Sequence, residues 1–400
     1  MPVEINLKQV DSQKTKLLLQ FFADQSQLGT KVWLKDSTYS FADGSEFRFR
    51  NDLFERERKE GKIGVRYEAI SRKAALGKGV YGITSKIKGT LSLDEDTFRF
   101  KKQGKDEKRR VVKTQPHMPE KNSLADLQNE YELTKRADHL SIKQPTLLKA
   151  SSTSHLSLTV MDELPGRELF AIIQDDLNGI KVLTTKQRFE LSQSLLIALK
   201  EQVTSKEIVH RDIKPQNIFV DMKGPIAVNI FDYGLALDAK KQDGRAKGSP
   251  GFIAPELFIY PSKASDKTDV FSMARVIALL WGLDMGKGSY NLGTNFNIYC
   301  SLSPEQRLEG LFNGINDLNS QKKDTIRSVL LSMLETDPTA RFSLEQATND
   351  FPSFENESKV LAVLPNQAFL FKGIPFFEPN RVSAKPKWPN EEQQIQRQFT

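Results

Sequence analysis

Five positions within eight residues carry side chains suited to group transfer: His210-Arg211-Asp212, then Lys214 and Asn217. Moving a phosphoryl group calls for a carboxylate beside the acceptor hydroxyl, a cation on the travelling phosphate and an amide oxygen on a metal ion. This segment supplies all three. Five specified positions would arise by chance in about one in 10⁴ sequences of this length if residues were equally frequent, so accident is a poor account of them.

Other segments fall in a telling order around it. Upstream, Gly77-Lys78-Gly79-Val80-Tyr81-Gly82 fits G-x-G-x-x-G, in which missing side chains let backbone N–H groups approach phosphates. Alone, such a run is more often a turn between strands; its place ahead of the other motifs gives it weight. Arg110-Val111-Val112-Lys113 alternates like a strand and ends on a cation, and Asp232-Tyr233-Gly234 lies fifteen residues beyond Asn217.

With these motifs in this order, the sequence resembles the eukaryotic-type serine/threonine protein kinase family from about Gly77 to Arg341. The resemblance implies an α+β, bilobal fold with a sheet-rich N-lobe and a helical C-lobe, and ATP with Mg2+ as cofactors, Mn2+ being an alternative ion. It makes Asp212 the catalytic base, Lys214 the contact to the γ-phosphate, and Asn217 and Asp232 the metal ligands. Lys113 takes the role of the lysine on the α- and β-phosphates, paired with a helix glutamate. Glu130 gives the best register for that partner and Glu132 is the runner-up, since two positions along a helix point elsewhere. Gly77, Gly79, Val80, Tyr81 and Gly82 would cover the nucleotide. Met161 would guard the back of the adenine pocket, Asp162 and Leu164 would present backbone groups to its edge, and Phe219 would lie beneath the ring. Thr84 departs from the valine usual two residues after the third glycine, and Tyr233 from the usual phenylalanine.

Gly248-Ser249-Pro250-Gly251-Phe252-Ile253-Ala254-Pro255-Glu256 resembles the peptide-binding end of an activation segment, with Arg341 where the family pairs an arginine with Glu256. Kinases of small molecules usually lack that pair, so the implied acceptor is a protein; Lys214 and Ser249 point to serine and threonine hydroxyls. Asp269 resembles the residue that anchors the catalytic loop, a role compatible with that of an N-cap. From Leu235 to Gly248 there is no serine, threonine or tyrosine. The family's phosphate switch therefore has no acceptor facing Arg211, and Asp238 or Asp243 is expected to offer a carboxylate in its place. The rival classes are a pseudokinase scaffold and a kinase for a small molecule or lipid.

The positioning elements follow from periodicity. Residues 1–64 form an N-terminal extension: a helix near Lys14 to Ala23, strand-like stretches at 31–35 and 46–50, and a charged helix from Asp52 to Lys59. Residues 65–164 alternate as antiparallel sheet, with a helix through Leu124, Leu127, Tyr131 and Leu133. An insertion at about 85–110 carries Lys101, Lys102, Lys105, Lys108, Arg109 and Arg110, read as a solvated hairpin tip or a docking site for an acidic partner. Residues 165–350 show helical stripes, including Leu191, Leu195 and Leu199 and further helices at 269–281 and 323–334; residues 351–400 are a C-terminal extension. Bracing the small lobe is the default role for the extensions, with dimerisation (a homodimer) and substrate recruitment as alternatives.

Composition bounds the rest. In 400 residues, 58 basic and 51 acidic side chains give +7, which favours anionic partners without singling out nucleic acid. One cysteine, Cys300, excludes an internal disulfide framework and suits a reducing, cytoplasmic setting. No stretch approaches the ~20 apolar residues of a membrane span, and Leu17 to Ala23 is too short for a signal peptide. The extensions, the insertion and the stretch from Lys287 to Gly310 surround intact motifs, a pattern that resembles the effector kinases delivered by intracellular bacterial pathogens. That resemblance implies a location in the host cell cytosol and a host protein as substrate.

Overall fold

A computed structural model describes residues 2–56, 65–79, 82–94, 97–104, 109–120, 122–258, 261–283 and 301–354. Val80, Tyr81, Lys105, Lys108, Cys300, most of the stretch from Lys287 to Gly310 and nearly all of the C-terminal extension lie outside the described residues. The architecture is α+β, and the chain divides into two compact units. Among the described residues, those up to Tyr131 and Ser141–Glu163 belong to the first; Glu132–Leu140 and those from Leu164 to Phe354 form the second.

The first unit is built on sheet. Its strands are β1 (Val3–Ile5), β2 (Val32–Trp33), β3 (Tyr39–Ser40), β4 (Glu46–Phe49), β5 (Asp52–Glu55), β6 (Val65–Gly79), β7 (Gly82–Asp94), β8 (Thr97–Lys102), β9 (Arg110–His117), β10 (Thr146–Lys149) and β11 (His155–Asp162). The large sheet runs β10-β11-β9-β7-β6-β5-β2, with β8 alongside β7; a second sheet runs β1-β4-β3. The first part of β7, Ile83 to Lys86, pairs with β9, and its last residues, Gly89 to Asp94, pair with β8. The hairpin of β7 and β8 therefore grows out of the end of β7 opposite to the one that pairs with β9.

Helix α1 (Ser12–Gln27) starts where the Asp11 carboxylate accepts the Lys14 N–H at 2.8 Å. Its Leu18, Phe21 and Phe22 recur at helical spacing and are buried. They meet an aromatic core in which Phe22 lies 4.5 Å and Trp33 5.1 Å from the Tyr67 ring. This core fastens the N-terminal extension to β6, and β5 and β2 complete the attachment by lengthening the same sheet.

The helix expected from Asp52 to Lys59 is not formed: Asp52–Glu55 is strand β5, and 57–59 lie outside the described residues. The reason is burial on both faces. Leu53 points into the aromatic core and Phe54 into a separate cluster with Ile70, Val112 and Val160. A strand covered on both sides shows no polar alternation, and its flanking charges imitate a helix surface.

The second unit is mainly helical. Helix α2 (Leu124–Ala137) begins in the first unit and ends in this one. Helices α3 (Leu169–Leu177), α4 (Thr185–Gln202) and α5 (Asp266–Leu280) follow, with further helices at Ser320–Met333 and Leu344–Asp350. Short strands β12 (Arg167–Glu168), β14 (Ile218–Asp221) and β15 (Ala227–Ile230) form one sheet, and β13 (Ile208–Val209) and β16 (Leu237–Asp238) another. Helix α5 is buried from Thr268 to Leu280, as an all-round apolar helix must be. Trp281 closes it, donating to Ser192 Oγ at 3.0 Å.

Candidate active site

In the first unit, Lys113 stands mid-strand on β9, opposite Thr84 of β7 and Thr159 of β11. Buried Val111 and Val112 fix the strand beside it. Lys113 Nζ donates to Glu130 Oε1 at 2.7 Å, and both side chains are largely buried. Of the two candidate partners it is therefore Glu130 that reaches Lys113; Glu132 is exposed. Gly77 and Gly79 end β6 and Gly82 starts β7. A Cβ at Gly82 would sit 2.4 Å from Thr114 O, so only glycine lets β7 approach β9 this closely. Met161 and Asp162 end β11, where Glu163 N–H donates to Arg109 O at 2.8 Å and Glu163 Oε1 accepts from Lys86 at 2.8 Å.

In the second unit, three side chains close a triangle. Lys214 Nζ donates to Asp212 Oδ2 at 2.9 Å and to Ser249 Oγ at 2.7 Å, and Ser249 Oγ donates to Asp212 Oδ1 at 2.7 Å. Asn217 Nδ2 adds bonds of 2.9 Å to Asp212 O and Oδ2. Its amide nitrogen is spent there, which leaves the Asn217 oxygen as an acceptor. The register of β14 on β15 pairs Ile218 with Ile230, and Phe231 N–H donates to Asn217 O at 3.0 Å; Asn217 and Asp232 are thus brought together across the strand ends. Phe219 on β14 packs its ring 5.3 Å from Phe231, and Leu164 packs against the core of this unit.

The loop is held from below. Asp269, fully buried, accepts the His210 N–H at 2.6 Å and the Arg211 N–H at 2.8 Å. Those bonds hold Arg211 at φ 63°, a left-handed conformation that costs about 1–3 kcal/mol for a non-glycine residue. Asp269 is not the N-cap: Ser265 fills that position with a capping box to Thr268. Burial pushes the Asp269 carboxyl up to about 7, against the two N–H donors and the Arg211 charge that favour the anion. His210 is also fully buried, and that burial lowers it, so the neutral ring accepts from Asp212 N–H at Nδ1 and donates from Nε2 to Phe231 O at 3.1 Å. Tyr233 lies 4.8 Å from the His210 ring, and its hydroxyl donates to Gln202 O at 3.2 Å. Tyrosine in place of phenylalanine therefore gains a bond to the end of α4.

Arg211 Nη1 donates to Asp243 Oδ1 at 2.8 Å and Nε to Leu235 O at 2.7 Å. Asp238, the other acid considered from the sequence, pairs with Arg136 at 2.8 Å. Glu256 and Arg341, both buried, form a bidentate pair at 2.8 Å, with Thr268 Oγ1 donating to Glu256 at 2.9 Å. Arg275 donates from Nε to Gly251 O at 3.0 Å, a tie that sequence reading missed because nothing near Arg275 marks it among apolar neighbours.

A family model, the protein kinase domain, matches residues 70–351. The chain belongs to the protein kinase family. Its relatives include the mouse phosphorylase b kinase gamma catalytic chain, liver/testis isoform, 24% identical over 76% of this chain and 71% of its own. The MAP kinase-activated protein kinase 2 of Cricetulus longicaudatus is 26% identical over 48% of this chain and 57% of its own, so the chain spans only about half of that relative. A Drosophila persimilis serine/threonine-protein kinase is 24% identical over 56% of this chain and 30% of its own. The kinase domain thus begins within β6, five residues after the start of that strand, and its matched range takes in both halves of the geometry above.

Proposed function

We propose that this kinase transfers the γ-phosphate of ATP to serine and threonine hydroxyls of proteins, and does so without phosphorylation of its activation segment. The observation that carries the reading is the Asp212–Lys214–Ser249 triangle. It holds the carboxylate where an acceptor hydroxyl can give up its proton, keeps a cation beside it, and sets Ser249 on the segment that presents the acceptor.

Asn217 and Asp232 offer one amide oxygen and one carboxylate, a hard donor pair of the kind Mg2+ takes when phosphates and water complete its shell. Metal-bound ATP would supply the transferable phosphoryl group and neutralise its charge. Lys113, steadied by Glu130, would orient the phosphates, and Gly77, Gly79, Val80, Tyr81 and Gly82 would cover them. Met161, Asp162, Leu164 and Phe219 would line the adenine. In this reading residues 65–164 are the N-lobe, 165–350 the C-lobe, and 1–64 and 351–400 extensions.

Independence from phosphorylation is supported by Asp243, whose carboxylate occupies Arg211. The finer expectation, an effector that a bacterial pathogen delivers into the host cytosol to act on a host protein, rests on the unfamiliar segments around the motifs. Incubating wild type and Asp212→Asn with cytosolic extract and γ-labelled ATP, followed by phosphopeptide mapping, tests the transfer to protein serines and threonines. Labelled serines and threonines that vanish with Asp212→Asn are expected. Label confined to small molecules, or no difference between the two proteins, would overturn the reading.

A further inference from the structure

The N-terminal extension and the inserted hairpin meet in a feature that no catalytic motif uses. Leu7, Phe100 and the stems of their neighbours line a small, half-open recess of about 180 Å³. For scale, a cavity of roughly 150 Å³ holds a benzene ring, so one branched or aromatic side chain fits. Around it stand Lys8 after β1, Arg50 after β4, Lys88 on β7 and Lys102 at the end of β8. All four are exposed. Arg50 has the Glu4 carboxylate at 3.6 Å. Among the described residues, no carboxylate lies within 4.0 Å of the Lys8, Lys88 or Lys102 ammonium.

Four cations from four separate segments around one apolar recess repel one another, and an anionic visitor relieves that repulsion. The neighbouring basic residue Arg110 behaves differently. It is spent inside the sheet on buried Glu68 at 3.0 Å. The hairpin charge is thus divided between an internal tie and this rim.

We propose that the recess is a docking site for an acidic protein segment that inserts one apolar side chain and lays carboxylates on Lys8, Arg50, Lys88 and Lys102. A lipid surface fits less well. Membrane docking needs apolar groups that protrude, whereas Leu7 is buried and Phe100 is half-buried in the wall of a recess. The site is separate from the catalytic residues and would recruit a substrate or regulator without touching them.

The test is fluorescence anisotropy on the full chain with a labelled peptide carrying a central leucine between two pairs of glutamates. Wild type is expected to bind it, about tenfold more weakly when salt is raised from roughly 0.05 to 0.3 M. Lys88→Glu/Lys102→Glu is expected to weaken binding about tenfold or more, while phosphorylation of a short generic peptide stays at the wild-type level. Replacing the leucine by glycine, or the glutamates by glutamines, should weaken binding comparably. Asp212→Asn should bind as wild type does, so a failure of the catalytic reading leaves this result standing. The proposal is overturned if wild type does not bind the peptide, or if the glutamine peptide or the double variant binds equally well. It is also overturned if vesicles containing phosphatidylserine bind through Lys88 and Lys102 and the peptide does not, since the occupant is then a membrane.

Discussion

Arg211 and Asp243 form an ion pair of 2.8 Å in which the arginine side chain is 1% exposed and the aspartate 27%. Burial pushes the Asp243 carboxyl upward, but the Arg211 guanidinium, the Arg245 N–H and Lys247 outweigh it and hold the group below its ordinary 3.8. A carboxylate with a lowered folded value contributes above about pH 3.8 and loses its contribution only as pH falls through that lower value. The clamp is therefore constant across any practical assay range. Removing it leaves a buried guanidinium short of a charged partner, a loss of about 1.5–3 kcal/mol. Asp243→Ala is expected to reduce kcat roughly tenfold or more, Asp243→Glu to retain part of it, and phosphatase treatment of wild type to change nothing. Peptide phosphorylation rates measured on the four samples check this; an active Asp243→Ala enzyme contradicts it.

The contact of Glu130 with Lys113 separates two glutamates that differ by two positions. Glu130→Gln should remove the charge that steadies Lys113 and lower kcat/KM for ATP about tenfold or more, since hydrogen bonds to charged groups are worth about 1.5–3 kcal/mol. Glu132→Gln, at an exposed position, should fall within a factor of about two, as surface changes do. Steady-state kinetics with ATP varied decides between them, and equal effects would remove Glu130 from its place.

Asp269 should leave a signature in stability. Its carboxyl is raised from 3.8 to about 7 by burial, so between these values the folded chain keeps a proton that the unfolded chain releases. Its contribution is complete below about pH 3.8 and lost as pH rises through 7. In that window one retained proton changes the unfolding free energy by about 1.4 kcal/mol per pH unit. Asp269→Asn has nothing to titrate and should flatten the pH dependence by that amount, while weakening the hold on His210 or Arg211. Urea unfolding of both proteins at pH 5, 6 and 7 measures the difference in slope.

What could be read from sequence divides along the same line as local and distant contacts. Asp212, Lys214 and Asn217 announce themselves because the chemistry proposed for them needs them within one loop. The stripes of α4 and α5 are visible because apolar spacing is local. The choice between Asp238 and Asp243 was not visible, because Arg136, which takes Asp238, is 102 residues away. Strand β5 misled for the same reason: Leu53 and Phe54 serve two cores on opposite faces, and each core is assembled by other parts of the chain.

The attachment of the N-terminal extension was equally hidden, and it carries the last prediction. Glu68, fully buried on β6, accepts from Arg56 at 2.8 Å, Thr90 at 2.8 Å and Arg110 at 3.0 Å, and Arg110 donates to Thr90 as well. One carboxylate thus ties the extension to β7 and to β9, three residues before Lys113. Beside it, Trp33 fills the aromatic core with no exposed surface. Glu68→Gln removes the buried negative charge to which Arg56 and Arg110 donate, a change of about 3–5 kcal/mol when a buried pair is broken. Trp33→Ala costs a similar ~3–5 kcal/mol through the cavity it leaves. The two should differ in function: at a temperature where both are folded, Glu68→Gln should raise KM for ATP through β9, and Trp33→Ala should not. Deleting residues 2–56 bares the edge of β6, which templates strand pairing between molecules, so the truncated chain should aggregate at temperatures where the full chain is monodisperse. Thermal melts, ATP kinetics and light scattering on the three variants check the series. A truncated chain that melts with wild type and stays monodisperse would show that the extension does not brace the sheet.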